Sequence, residues 1–219
     1  ITGSILPTTV EGCAAGDATA AVTTVADLEL LGLLITDACT ADGSLVVTSS
    51  DASAGTCPIV VTRTYVVTDV CLNSTTSTQV INVDDTTPPT ASNPAPVSVE
   101  CVDDVPVVDV NVVNDEADNC PGSVTVAFVS ETTTGGPCPE IITRTYSVTD
   151  ACGNQTLVTQ TITINDITPP TASSPATVTV DCVADVPAPD VNVITDEADN
   201  CPASIVVAFV SDVSDGATC

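Results

Sequence analysis

Between residues 96 and 164 the chain runs in short stretches that alternate apolar and polar positions: PVSVEC (96–101), VVDVNVV (107–113), SVTVAFVS (123–130), EIITRTYSVT (140–149) and QTLVTQTITI (155–164). A period of two marks a half-buried strand, and Val, Ile and Thr, whose branched Cβ is stiff in a helix, strengthen the preference. Gly, Pro, Asn and Asp separate the stretches at the spacing of an antiparallel sandwich, so five strands are predicted. One stretch breaks the alternation. LELLGLLI (28–35) is far too short to span a bilayer and carries Glu29. It reads as a buried core strand, or else as an apolar contact with a preceding domain or subunit.

The pattern recurs. Cys39 and Cys120, Cys57 and Cys138, Cys71 and Cys152, Cys101 and Cys182, Cys120 and Cys201, and Cys138 and Cys219 are each 81 residues apart. A fixed period of this kind signals tandem modules. Cys13, Cys39, Cys57 and Cys71 form one set, Cys101, Cys120, Cys138 and Cys152 the next, and Cys182, Cys201 and Cys219 the third. Paired prolines in DDTTPPTAS (84–92) and NDITPPTAS (165–173) cannot continue a strand ladder and read as stiff linkers. Repeats of about 81 residues result, at 1–86, 87–167 and 168–219. The third has no counterpart of residues 139–166, and hence no fourth cysteine or last two strands. The expectation is that a continuation of the chain supplies them, with strand addition by another molecule as the alternative.

Composition sharpens the class. Twenty-nine acidic residues against two basic ones give a net charge of −27, which disfavours nucleic acid and anionic membranes and makes cations the natural partners. A hydrophobic content of 43% and a mean hydropathy of +0.39 argue for folded cores, and two Tyr and two Phe make those cores aliphatic and thin. Eleven cysteines, no His and no CxxC pair point to disulfides in an extracellular, oxidising compartment rather than to zinc. With neither His nor Lys there is no base for a Ser or Cys nucleophile, so the chain reads as no enzyme. Arg63 and Arg144, each in a TRTY motif, read as structural ion pairs packed with Tyr65 and Tyr146.

The motifs TRTYSVTDACGNQT (143–156), DEADNCPGSVTVAFVSE (115–131) and INDITPPTAS (164–173) resemble the HYR-like immunoglobulin-type repeats that occur in tandem in large secreted adhesins and surface filaments of bacteria, Bacteroidota in particular. The resemblance covers essentially the whole chain. It implies an all-β fold of tandem, disulfide-stapled immunoglobulin-like sandwiches in a cell-surface stalk, filament or adhesin. In such a sandwich the loop before the third strand and the loop between the last two strands share the pole that faces the preceding repeat. On that basis Cys120 would bond Cys152 and Cys101 would bond Cys138. By the same rule Cys13 would bond Cys57, Cys39 would bond Cys71 and Cys182 would bond Cys219, leaving Cys201 for a partner outside the chain. Four cysteines allow three connectivities, and sequence does not choose among them.

That implied pole gathers Asp84 and Asp85 from the linker, Asp115, Glu116, Asp118 and Asn119 from one loop, and Asp150 and Asn154 from another. The next joint repeats the set with Asp166, Asp196, Glu197, Asp199 and Asn200. So many oxygen ligands suit Ca2+, which accepts six to eight of them, although Asp and Asn are also ordinary turn formers. Repeat one departs from the set, carrying Leu34, Ile35, Asp37 and Ala38 where repeat two has Asp115, Glu116, Asp118 and Asn119. The function expected is a structural segment of an extracellular bacterial filament or stalk, self-associating or continuing into further repeats, with calcium stiffening its joints. The alternative is an adhesin that recognises a glycan or protein through its loops or an edge strand.

Overall fold

In the computed structural model, residues 1–201 and 204–214 are described. Among these residues ten strands and one short α-helix follow in order: β1 (Thr2–Gly3), β2 (Thr8–Glu11), α1 (Val25–Leu30), β3 (Leu33–Leu34), β4 (Val46–Ala54), β5 (Ile59–Thr68), β6 (Ser74–Asp84), β7 (Val97–Val99), β8 (Thr125–Gly135), β9 (Glu140–Thr149) and β10 (Gln155–Ile164). Two four-stranded sheets, β2-β6-β5-β4 and β7-β10-β9-β8, share one topology, and β1 pairs with β3. In each sheet the first strand of a repeat lies parallel to its last, with Glu11 opposite Asp84 in one and Val99 opposite Ile164 in the other. The remaining neighbours in the first sheet are antiparallel, β5 and β6 pairing from Ile59↔Val83 to Thr68↔Ser74. The fold is all-β and immunoglobulin-like, stapled by disulfides.

Alternation does what its period requires. Along β5, Val61, Arg63, Tyr65 and Val67 are buried while the residues between them are half-buried. The chain packs as two compact units. One comprises Ile1–Pro94, Asp109–Val129 and Thr145–Thr159, the other Ala95–Val108, Ser130–Arg144 and Gln160–Cys219. In the first unit Val61, Ile81 and Val83 form one cluster, Val47, Tyr65 and Val67 join α1 in a second, and Val113, Tyr146, Val148 and Val158 form a third. In the second unit Ile142, Ile162 and Ile164 pack with Val97, Val99 and Val105. Burying each such side chain contributes about 1.5–3 kcal/mol.

Two expected strands take other forms. The Leu-rich stretch is not a core strand: it supplies the end of α1 and the two residues of β3. The Thr24 hydroxyl accepts the Asp27 N–H at 3.1 Å and donates to its carboxylate at 2.6 Å, which caps the first turn. Val25 and Leu28, three residues apart, then share the buried face, while Leu30 and Leu34 remain exposed. Gly32, at φ +108°, ends the helix and turns the chain into β3. VVDVNVV is the second departure. The Asp109 carboxylate accepts the Asn111 N–H at 2.9 Å, drawing Val110–Val112 into a 3₁₀ turn that delivers Val113 to the core.

Among the described residues of repeat three there is no strand, only two 3₁₀ turns and the bridge of Thr171 to Ala198. Its counterparts of β7 and β8 would pair with counterparts of β10 and β9, which the 219 residues do not include.

Both arginines are buried and paired. Arg63 holds Asp51 through two bonds of 2.8 Å and reaches the Thr19 carbonyl at 2.6 Å, and Arg144 donates to Glu131 at 2.6 Å. The Arg63 hydrogen bond, against the opposing effect of burial, holds the Asp51 carboxyl below its usual range. Replacing Asp51 by Ala strands a guanidinium that is only 4% exposed. The expected outcome is a loss of about 1–3 kcal/mol, read by thermal or denaturant unfolding at pH 7, with the difference from the parent shrinking as acid protonates Asp51.

Candidate functional site

The parallel pairing of β2 with β6 brings Glu11 and the linker to the same end of repeat one. Gly12 then donates its N–H to the Asp84 carbonyl at 3.2 Å. An added Cβ at Gly12 would meet Asp17 at 2.5 Å and Val83 at 2.9 Å, so only glycine passes here. Asp17 accepts the N–H groups of Cys13 and Ala14 at 2.8 and 2.9 Å, which fixes Cys13 at the joint.

From this end the disulfides cross between repeats. Cys13 bonds Cys120, Cys57 bonds Cys152 and Cys101 bonds Cys201, with Cα separations of 5.0, 5.3 and 5.1 Å. This corrects the pairings expected within single repeats: Cys13 with Cys57, Cys101 with Cys138 and Cys120 with Cys152 do not form. Cys201 has its partner inside the chain. The two loops of repeat two do meet at one pole, since Cys120 and Cys152 line a single cleft of about 370 Å³ with Cys13 and Cys57. Each finds its partner across that cleft, where the preceding repeat presents the ends of β2 and of the loop leading into β5. Cys39 and Cys71 are both free and exposed, as are Cys138 and Cys182. The pairing of Cys182 with Cys219 lies outside the described residues.

A rule emerges from the three bonds. The first cysteine of a repeat bonds the second of the next, and the third bonds the fourth.

Beside the Cys13–Cys120 bond lie Asp85 and Asp118. Asp85 is only 4% exposed; its Oδ1 accepts the Thr87 N–H at 3.1 Å and the Asn119 amide at 3.4 Å. The other oxygen, Oδ2, is buried with no partner, and so is Oδ1 of Asp118. Carboxylate oxygens of the two residues come within 4.8 Å of each other. Burial, reinforced by the charge of Asp118 and by a side-chain contact with Glu11, pushes the Asp85 carboxyl above its ordinary value despite those two donors. The nearby sulfurs are oxidised and offer no thiolate, so the donor set is oxygen alone, which fits a hard divalent cation. Two buried carboxylate oxygens without a donor, on acids whose carboxylates approach within 4.8 Å, favour a shared proton or a cation.

The other acids of the expected cluster have separate work. Asp115 accepts the Ser92 N–H at 3.0 Å and clamps the linker to its loop, and the hydrogen bonds from Ser92 lower its carboxyl's pKa. Asp150 accepts N–H groups of Cys152 and Asn154 at 2.8 Å and the Asn154 side chain at 2.8 Å; burial pushes its carboxyl up, but these donors win and its pKa is lowered. Asn154 also donates to the Asp85 carbonyl at 2.8 Å. Asp84 contributes its carbonyl to Gly12, and Glu116 is exposed.

The sequence reading missed Glu11. It accepts Thr86 through both N–H and hydroxyl and Thr87 through its hydroxyl, chiefly the Thr86 hydroxyl holding its carboxyl below the usual range. A signal existed: an acid precedes the first cysteine of every repeat, as Glu11, Glu100 and Asp181.

The next joint repeats the design. Carboxylate oxygens of Asp166 and Asp199 come within 4.8 Å of each other beside Cys201. Glu100 accepts the Thr168 hydroxyl at 2.8 Å and the Asn200 amide at 2.7 Å, and Asp196 accepts the Ser173 N–H at 3.1 Å. Glu197 is exposed, and Asp166 and Asp199 are half-buried, more open than Asp85.

Residues 89–164 match a family described as the HYR-like domain with 4 cysteines. Domains of this kind are extracellular, adhesion-type, non-catalytic modules. No curated protein matches the chain. No helix among the described residues is long and apolar enough to cross a membrane.

Because its pKa is raised, Asp85 favours the folded state only while protonated; that contribution is complete at acid pH and is lost as pH rises through its elevated folded value. In chelator, Asp85→Asn is therefore expected to melt increasingly above the parent as pH is raised from about 4 to 7. Peptide mapping without reductant should recover Cys13 with Cys120, Cys57 with Cys152 and Cys101 with Cys201.

Proposed function

We propose that the chain is a structural segment of an extracellular bacterial filament or stalk, in which successive HYR-like repeats are bonded covalently and each joint is tightened by calcium. The observation that carries this reading is the recurrence of one joint design. Glu11, Asp85 and Asp118 gather beside Cys13–Cys120, and Glu100, Asp166 and Asp199 gather beside Cys101–Cys201. Two uncompensated oxygens at the first joint supply the reason for a cation, and a net charge of −27 supplies the repulsion that it would relieve. Ca2+ suits an oxygen-only set with flexible spacing, completed by water. Asp85 and Asp118 would hold it, and Glu11 would balance its charge. Asp166 and Asp199 would do the same in a more open setting.

The pairing rule gives the free cysteines a role in this reading. Cys39 and Cys71 occupy the places that bond to a preceding repeat, and Cys138 and Cys182 the places that bond to a following one. They would extend the series to further repeats of the same or a neighbouring chain. Each bond would form by exchange with a disulfide oxidant, whose two sulfurs leave as thiols.

Thermal melts in calcium and in chelator, with small-angle scattering, test the cation. Calcium well above its dissociation constant is expected to raise the melting temperature by roughly 5 °C or more and to leave a stiffer particle. In Asp85→Asn and Asp118→Asn the calcium response disappears, while their stability in chelator equals or exceeds the parent's. An unchanged melt and scattering curve for the parent would reduce the pair to a shared proton.

A further inference from the structure

We infer that the chain is an inextensible tether that survives scission: no single break of the backbone between Cys13 and Cys201 can part its two ends. The inference deepens the proposed filament role, and it rests on covalent connectivity alone.

The three disulfides overlap. Cys13–Cys120 encloses Cys57 and Cys101, Cys57–Cys152 starts inside that loop and ends outside it, and Cys101–Cys201 does the same one repeat later. A break between Cys13 and Cys101 leaves the path from Cys13 to Cys120, back along the chain to Cys101, and on to Cys201. A break between Cys101 and Cys120 leaves the backbone from Cys13 to Cys101 and then the bond to Cys201. Beyond Cys120, any break short of Cys201 is bridged by Cys101–Cys201. Bonds confined to single repeats would bridge breaks inside their own loops but would leave each linker as the sole connection between repeats.

The same paths limit stretching. The shortest covalent route between the ends runs from Ile1 to Cys13, from Cys120 back to Cys101, and from Cys201 to Cys219. It contains about 49 peptide units where the backbone has about 218, so at roughly 3.6 Å per residue the oxidised chain reaches about 180 Å and the reduced chain about 780 Å. Tandem sandwiches without such bonds lengthen by unfolding one domain after another. Here tension passes through sulfur, and the linker and most of the strands are spared it.

The turn between β8 and β9 offers a place to cut, since Gly136 has open space around it. The free thiols of the full chain are first alkylated, and the recognition sequence of a site-specific protease is inserted between Gly135 and Gly136. After cleavage, denaturing electrophoresis is expected to show one band without reductant and two with it. Adding Cys57→Ser and Cys101→Ser should let the fragments part without reductant. Release of the fragments from the chain with all its cysteines would overturn the inference. Should the double variant fail to fold, pulling the parent chain by its ends in optical tweezers decides. A contour length near 180 Å, rising about fourfold in reductant, supports the tether; the full length without reductant sinks it. Both readouts use single purified chains, so they stand even where the calcium melt or filament formation fails.

Discussion

Covalent bonds that leave one repeat and end in the next set the conditions for everything else at the joint. Apart from the eight-residue cluster around α1, the clusters hold three or four buried residues each and, with one tyrosine per sheet, make thin cores for repeats of this size. A disulfide that closes a loop of 107, 95 or 100 residues removes much of the unfolded chain's freedom, about 4–5 kcal/mol in the chain-entropy account. Because these loops straddle a linker, that stabilisation is shared between neighbours. Stability becomes a property of adjacent pairs, as it is in stacked repeat proteins. The partition of the chain agrees: repeat one is grouped with Asp109–Val129 and Thr145–Thr159 of repeat two.

Covalent anchoring also makes the electrostatics tolerable. Two ionised carboxylates whose oxygens lie within 4.8 Å of one another repel by roughly 3 kcal/mol or more at an effective dielectric near 20. The sulfur bridge beside them ties the two loops together, and Asp85 Oδ2 and Asp118 Oδ1 are left buried without a donor. Threonine hydroxyls stabilise the Glu11 carboxylate, a serine N–H occupies Asp115, and an amide holds Asp150. The acids thus divide into those that shape backbone and those left with a buried, unpartnered oxygen, a division that net charge alone conceals.

How much of this was legible in the sequence depended on the range of the interaction. Period-two alternation gave β8, β9 and β10, because strand faces follow from neighbouring residues. The buried Arg63 and Arg144 were readable as ion pairs for the same reason: a lone cation on an inward face has few alternatives. VVDVNVV misled because a local side-chain bond from Asp109 overrode the alternation, and the Leu-rich stretch misled because Thr24 and Gly32 define a helix too short to show its period. Disulfide partners were beyond reach. Spacing of 81 residues fixes which cysteines are equivalent, yet equivalent positions at facing poles pair equally well within a repeat or across the joint until the poles are seen together. The acid before each first cysteine was visible, but only the parallel pairing of β2 with β6 reveals that it ends beside the linker.

That cross-joint pairing also imposes a timetable on biosynthesis. Cys13 cannot find its partner until 107 further residues have emerged, and Cys101 must wait for another 100. Each repeat therefore leaves the ribosome or the export channel with its first and third thiols unpaired, and closes only when its successor has folded well enough to present the matching loop. Sulfur oxidation reports on the neighbour's fold, so a misfolded repeat would leave its predecessor unsealed and open to repair or degradation.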